Sequence, residues 1–300
     1  MKKQIASILL SMMSIFCYAG GISGDSVNAQ GHQITIMTYN IKMLPRGANS
    51  FLHHRPVVRA RLIPEKLINE NPDVIVFQEA FDGKAIQTLK KGLQKQYPYM
   101  AGNENRKLIS YKRAGGVLMF SKYPLKQLES IRYSQCKGVD CMGNKGAMLV
   151  EVDHPVQKFQ LFGTHMQAGG SVELKTSQYQ EASELLKRHA QAGVMQFIAG
   201  DFNTQKNDTT RYPILIARLS AKDGDIADEE KVSIAHTLND MRTKNGVPRK
   251  RKGVIDYVFI KDNGVKIKSV DRYARQFEER WSADHKDLSD HYAVILKVTL

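Results

Sequence analysis

Eight polar residues stand where apolar runs begin or end along this chain, and between them they offer carboxylates, carboxamides and imidazoles: Asn40, Glu79, His165, Asp201, Asn203, Asp256, Asp290 and His291. Residues 34–39 lead into Asn40, 74–78 into Glu79, 159–164 into His165, and 195–199 through Gly200 into Asp201-Phe202-Asn203. Asp256 lies inside the run 254–260, and Asp290-His291 opens the run 292–298. A hard divalent cation such as Mg2+ takes oxygen ligands, so the Glu79 carboxylate with the Asn40 carboxamide is a sensible partial shell. Imidazole titrates near neutrality, which makes His291 a candidate general base, with Asp256 to hold its tautomer. Taken singly, an Asp or Asn at a strand end is usually a turn former and a lone histidine a satisfied core residue. Their joint occurrence carries the chemical reading.

Such residues meet only if their strands end along one rim. Short apolar runs bounded by turn residues predict strands at 33–39, 74–78, 115–121, 128–133, 146–152, 158–164, 195–199, 254–260 and 292–298. Helical spacing predicts helices at 56–69, where Pro64 acts as a kink or second start, and at 84–94, 171–189 and 211–219. Ser171 is a plausible N-cap for the third, with Glu173 in its first turn. Strands outnumber helices, and helices fall between pairs of strands. The expected fold class is therefore α/β (α+β): a four-layer α/β/β/α sandwich of two mixed sheets packed face to face with helices outside.

The start of the chain, Met1-Lys2-Lys3 followed by an apolar stretch and small residues, has the three-part pattern of a signal peptide, assigned to residues 1–29. That leaves 30–300 as a single catalytic domain, within reach of one sizeable core, and a secreted or periplasmic address. The formal net charge of +14 points to anionic partners without choosing among nucleic acid, membrane and phosphorylated small molecules. The basic run 248–252 reads as a solvated loop, with phosphate contact as the sharper alternative. Of three cysteines, Cys17 falls in the leader, and Cys136 and Cys141 are expected to close a small disulfide loop.

Thr38-Tyr39-Asn40, Phe77-Gln78-Glu79, Gly163-Thr164-His165, Gly200-Asp201-Phe202-Asn203, Ile255-Asp256-Tyr257 and Ser289-Asp290-His291-Tyr292, in this order, resemble the endonuclease/exonuclease/phosphatase superfamily. Within it, Gln78-Glu79-Ala80-Phe81-Asp82, Asn144-Lys145-Gly146 and His165-Met166-Gln167-Ala168 resemble the secreted magnesium-dependent neutral sphingomyelinases. The resemblance implies cleavage of sphingomyelin to ceramide and phosphocholine, with Mg2+ near Asn40, Glu79 and Asp290. It implies that Asp201 and Asn203 position water and phosphate, that His165 donates to a phosphate oxygen, and that Lys145 and Asn144 contact the phosphate. The implied partners are a membrane lipid and the membrane surface, with nucleic acid a lesser candidate and no obligate protein partner. In that family a hairpin with exposed aromatics enters the lipid; the corresponding residues 273–282 offer Phe277 and Trp281, for which core packing is the competing reading.

Three rival readings remain at this level. The net charge suits a secreted deoxyribonuclease, although Lys42 replaces the Asp of the abasic-site branch. Met142-Gly143-Asn144-Lys145-Gly146-Ala147 also resembles a motif of the inositol-polyphosphate 5-phosphatases, but Ile255-Asp256-Tyr257 stands where those carry a Trp-x-Asp-Arg element. A non-catalytic lipid or nucleic-acid binder is disfavoured because all the reactive residue types are in place.

Overall fold

Along β1 (Gln33–Met43) the side chains alternate between two interiors: Ile34 and Ile36 enter one core, while Met37, Tyr39 and Ile41 enter another. A strand buried on both faces has to lie inside a layered sheet. The computed structural model describes residues 32–45, 54–102, 115–227, 231–235, 238–242 and 252–300. The expected leader and most of the basic run 248–252 lie outside the described residues.

The first sheet has six strands in the order β12 (Ser269–Arg275), β13 (Ala293–Thr299), β1, β2 (Val74–Ala80), β4 (Leu118–Ser121) and β3 (Tyr99–Gly102). Only β1 and β2 run parallel. The second has five, in the order β11 (Asp256–Lys261), β8 (Gln196–Asp201), β7 (Phe159–His165), β6 (Gly146–Val152) and β5 (Leu125–Arg132), with β7 and β8 parallel. A short pair, β9 (Ile234–Ala235) and β10 (Lys252–Gly253), stands apart. Ile34, Ile36, Val74 and Val76 of the first sheet share one buried cluster with Leu161, Ile198 and Val258 of the second. At Gly163 of β7 an added Cβ would lie 2.4 Å from Met119 Cε and 2.9 Å from Val76 Cγ1, so glycine lets the sheets approach closely there.

Helices close both outer faces. Ala60, Ile63 and Leu67 of α1 (Pro56–Glu70) and Ala85, Leu89 and Leu93 of α2 (Gly83–Leu93) cover the six-stranded sheet. Tyr179, Ala182 and Leu186 of α3 (Val172–Arg188), with Leu215 and Leu219 of α4 (Arg211–Leu219), cover the other. Ser171 caps α3 by accepting from Leu174 N, as its position in the sequence suggests. The α/β/β/α sandwich expected from the element order is the observed architecture. No helix among the described residues is long and apolar enough to cross a membrane.

Two edge strands escaped the sequence reading. Both are largely exposed: β12 carries few apolar residues, and β3 is only four residues long with Tyr99 and Met100 facing solvent, as an edge strand can. Of the two readings of the aromatics in residues 273–282, core packing is the one observed. Phe277 is 7% and Trp281 6% exposed; the Phe277 ring meets Tyr39 edge-on at 5.5 Å, and Trp281 Nε1 donates to the Asp287 carbonyl at 2.7 Å. Both serve the core beneath α1, so this segment offers no aromatic tip to lipid.

Candidate active site

Three adjacent strands of the five-stranded sheet end in one register row. His165 of β7 stands beside Asp201 of β8, and Asp201 beside Asp256 of β11. In-register neighbours project to the same face, so one imidazole and two carboxylates are crowded together by strand pairing alone. Burial, then the charge of Asp256, pushes the Asp201 carboxyl up to about 6.

The six-stranded sheet delivers the facing groups. Asn40 continues the inter-sheet side of β1 and donates through Nδ2 to Asp201 Oδ2 and to Glu79 Oε1, each at 3.1 Å. Glu79 is less straightforward: strict alternation after Ile75 and Phe77 would send it outward, towards the helices. Its φ of 57° lies in the left-handed region, unfavourable for a residue with a Cβ, and this reversal brings the carboxylate against Asn40. Asn203, at φ 48°, is bent in the same way; its backbone N–H donates to Asp201 Oδ1 at 2.8 Å.

His291 arrives on the loop before β13. Its Nδ1 lies 2.9 and 3.1 Å from the two oxygens of Asp256, and Ser233 Oγ donates to Asp256 Oδ2 at 2.7 Å. A carboxylate only accepts, so we assign the proton to Nδ1 and leave Nε2 facing the cavity, 4.0 Å from Asp201 Oδ2 and Asp290 Oδ1. Burial opposes the charged ring, but Asp256 outweighs it and raises the His291 pKa to about 9.

His165 is surrounded by donors. Its Nε2 is 3.1 Å from Lys145 Nζ and 3.3 Å from Asn203 Nδ2, two donors. Burial, then Lys145, holds its pKa well below the usual histidine range, so the ring is neutral and Nε2 accepts. The groups able to donate towards a phosphate here are therefore Lys145 and Asn203 rather than His165. Lys145 is itself steadied by Asp140 at 2.9 Å. Asn144 is buried and faces Arg132, at 3.5 Å, instead of the cavity.

A cavity of about 590 Å³ gathers Glu79, Lys145, His165, Asp201, Asn203, Asp290 and His291 along its wall, with Asn40 and Asp256 buried immediately behind. The residues fit a hard cation at Glu79. Burial, then the charge of Asp290, raises the Glu79 carboxyl above its ordinary range, the electrostatic condition that a cation relieves. Burial would also raise Asp290, yet Lys42 Nζ at 2.6 Å and Arg242 Nη2 at 3.2 Å hold it well below the usual carboxylate range. Asp201, Asp256 and His291 also offer ligand atoms within 4.8 Å of one another. That alternative would compete with the His291–Asp256 and Ser233–Asp256 hydrogen bonds, whereas at Glu79 the Asn40 Oδ1 accepts from Lys42 N at 3.1 Å.

Two buried cations, absent from the sequence reading, fasten the site from behind. Arg59 of α1 donates to the carbonyls of Ile41, Lys42 and His54 at 2.7 Å and of Leu288 at 2.8 Å, tying the end of β1 to the loop carrying His291. Lys175 of α3 donates to Gln167 O at 3.0 Å and Phe202 O at 2.6 Å, tying the segments that follow His165 and Asp201. The signal was helical periodicity: Arg59 and Lys175 each fall on an inward helix face, one turn from Ile63 and Gln178.

The description endonuclease/exonuclease/phosphatase family matches residues 37–291, a span running from within β1 to His291 itself. The chain belongs to this family. Among its similar proteins, phospholipase C of Staphylococcus aureus is 24% identical over 330 residues, covering 97% of this chain and 96% of the relative. Sphingomyelinase C of Bacillus cereus is 26% identical over 321 residues, 94% of each chain. A solved Staphylococcus aureus beta toxin variant with bound magnesium ions superposes with a TM-score of 0.77 at 23% identity, over 89% of this chain and 99% of that one. That likeness speaks to the fold: the endonuclease/exonuclease/phosphatase sandwich spans nearly the whole of both chains.

Proposed function

We propose that this protein is a phosphodiesterase of the sphingomyelinase C type, hydrolysing sphingomyelin to ceramide and phosphocholine with Mg2+ held by Glu79 and Asn40 and with Asp290 beside them. The observation that carries the reading is the convergence on one cavity of His291, backed by Asp256, the donors Lys145 and Asn203, and Glu79. The names of the two relatives above supply the substrate class. Residues 30–300 would form one catalytic domain, exported behind a leader at 1–29 to the medium or periplasm.

Mg2+, when bound, supplies charge stabilisation for the phosphoryl and leaving oxygens. The chain's own residues perform the rest. In its neutral form, whose population grows as pH rises towards about 9, His291 takes a proton through Nε2 from a water molecule as the water oxygen bonds to phosphorus, and Asp256 stabilises the ring as it becomes charged. Lys145 and Asn203 donate to the phosphate oxygens as negative charge develops. Asp201, held by Asn40 and the Asn203 backbone, orients the attacking water. The phosphorus–oxygen bond to ceramide breaks, and that oxygen is protonated from solvent.

The test is headgroup release from sphingomyelin, phosphatidylcholine and phosphatidylinositol phosphates, run beside plasmid nicking, with Mg2+ and with chelator. Phosphocholine released from sphingomyelin only with Mg2+ is the expected result. Nicked plasmid without phosphocholine would move the assignment to a secreted deoxyribonuclease.

A further inference from the structure

The segment closed by the Cys136–Cys141 disulfide contains a 3-10 turn, Gly138–Met142, in which no residue is buried. A cross-link usually fixes chain that packs against something; this turn contributes nothing to either core. It is nevertheless held firmly. Lys137 N donates to Gln167 Oε1 at 2.9 Å, and Gln167 Nε2 donates to Lys137 O at 3.1 Å. Asp140 accepts from Ala168 N at 2.7 Å and pairs with Lys145 at 2.9 Å. The turn is thus fixed in place while holding two large apolar side chains out of the protein: Val139 is 82% and Met142 70% exposed, the two highest values among the exposed large apolar residues described. Both stand at the outer rim of the active-site cavity, and Lys137 and Arg132 nearby are exposed cations.

We propose that this cross-linked turn is the membrane-docking element, seating Val139 and Met142 past the headgroups of an anionic or zwitterionic bilayer so that the cavity mouth meets the headgroup plane. The proposal rests on the lipid-phosphodiesterase reading above and names the contact that reading requires. A lipid phosphate lies at the bilayer–water boundary, so a cavity acting on it must be brought to that boundary by groups around its own rim. Apolar side chains at the rim enter the acyl boundary while neighbouring cations remain with the headgroups, the arrangement that interfacial binding rewards. Because the turn is already ordered, little freedom is lost on docking. The buried Phe277 and Trp281 leave this role open, and the turn is continuous with the catalytic cavity.

The experiment uses the full chain and vesicles of equal parts sphingomyelin and phosphatidylcholine, sedimented in the presence of chelator so that lipid is not consumed. The Val139→Ser/Met142→Ser double variant should partition onto vesicles about tenfold more weakly than the parent, a loss of the size that two partly inserted side chains imply. Its hydrolysis of vesicle lipid, assayed with Mg2+, should fall in step, while hydrolysis of a water-soluble phosphocholine ester stays within about twofold. Val270→Ser, on β12 at the end paired with Val298 and 42% exposed, is the control and should partition like the parent. Independently, Val139→Trp should show a blue shift in fluorescence when vesicles are added, against the constant background of buried Trp281. Equal partitioning of the double variant and parent, or no shift from Val139→Trp, overturns the proposal. Failure of the parent to hydrolyse the soluble ester overturns the catalytic reading instead, and sedimentation in chelator still decides the docking surface.

Discussion

His291 Nδ1 and Asp256 Oδ2 lie 2.9 Å apart although they belong to different sheets: the ring precedes β13 of the six-stranded sheet, and the carboxylate opens β11 of the five-stranded one. The proposed base and its orienting group therefore also pin the two layers together at the cavity.

This pairing makes stability depend on pH with a definite sign. The folded-state pKa of about 9 lies above the ordinary value of 6.5, so the stabilisation is complete below about 6.5 and is lost as pH rises through about 9. In metal-free protein, His291→Ala should be less stable than the parent by roughly 3 kcal/mol near pH 6, with the gap closing by pH 9.5. Thermal melts at both pH values check this; a gap independent of pH would mean that the parent ring is neutral throughout. With Mg2+ present, the same substitution should lower kcat by roughly 10²–10⁴-fold.

Glu79 should behave in the opposite manner. Its carboxylate is buried beside Asp290 and disfavoured there, so Glu79→Gln should leave the metal-free protein as stable as the parent or slightly more so. The Mg2+-dependent rise in melting temperature should be lost, because ligand stabilisation scales with occupancy of the folded state. Thermal melts across a magnesium titration distinguish the cases. An undiminished magnesium response would place the cation elsewhere, at the Asp201–Asp256–His291 group.

Arg59 satisfies four carbonyls with one buried guanidinium, and Lys, with three donors, cannot replace all four contacts. Arg59→Leu should destabilise the fold by roughly 3 kcal/mol, since buried carbonyls lose their donors. Arg59→Lys should fall between, and both should lower kcat more than they raise KM, because the displaced segments carry Asn40 and His291. Urea unfolding beside steady-state kinetics tests this; an Arg59→Lys enzyme with parental kcat would show that one-point charge suffices.

The strand ends were legible because a buried strand leaves a plain signature, an apolar run stopped by a polar residue, and Asn40, His165 and Asp201 all carry it. Helix limits were legible for similarly local reasons, as at Ser171. What stayed hidden depends on groups distant in the chain. Helical periodicity can place Arg59 inward, but its role depends on Leu288, 229 positions away, whose carbonyl it meets. Glu79 sits at the right place in the sequence, yet only a left-handed backbone angle, invisible in residue type, turns it inward. The resemblance implied donation by His165; the geometry instead sets two donors, Lys145 and Asn203, against its Nε2, a relation invisible in the sequence. For Trp281 the sequence left lipid contact and core packing both open, and the Asp287 carbonyl and the layer under α1 decide for packing.

Asn40 comes first among the reactive residues along the chain, and His291 stands just before β13, which pairs with β1. A chain in which β13 has not yet paired with β1 leaves His291 unplaced at the cavity. Turnover thus waits on that long-range pairing, and its recovery during refolding should time the seating of β13 against β1.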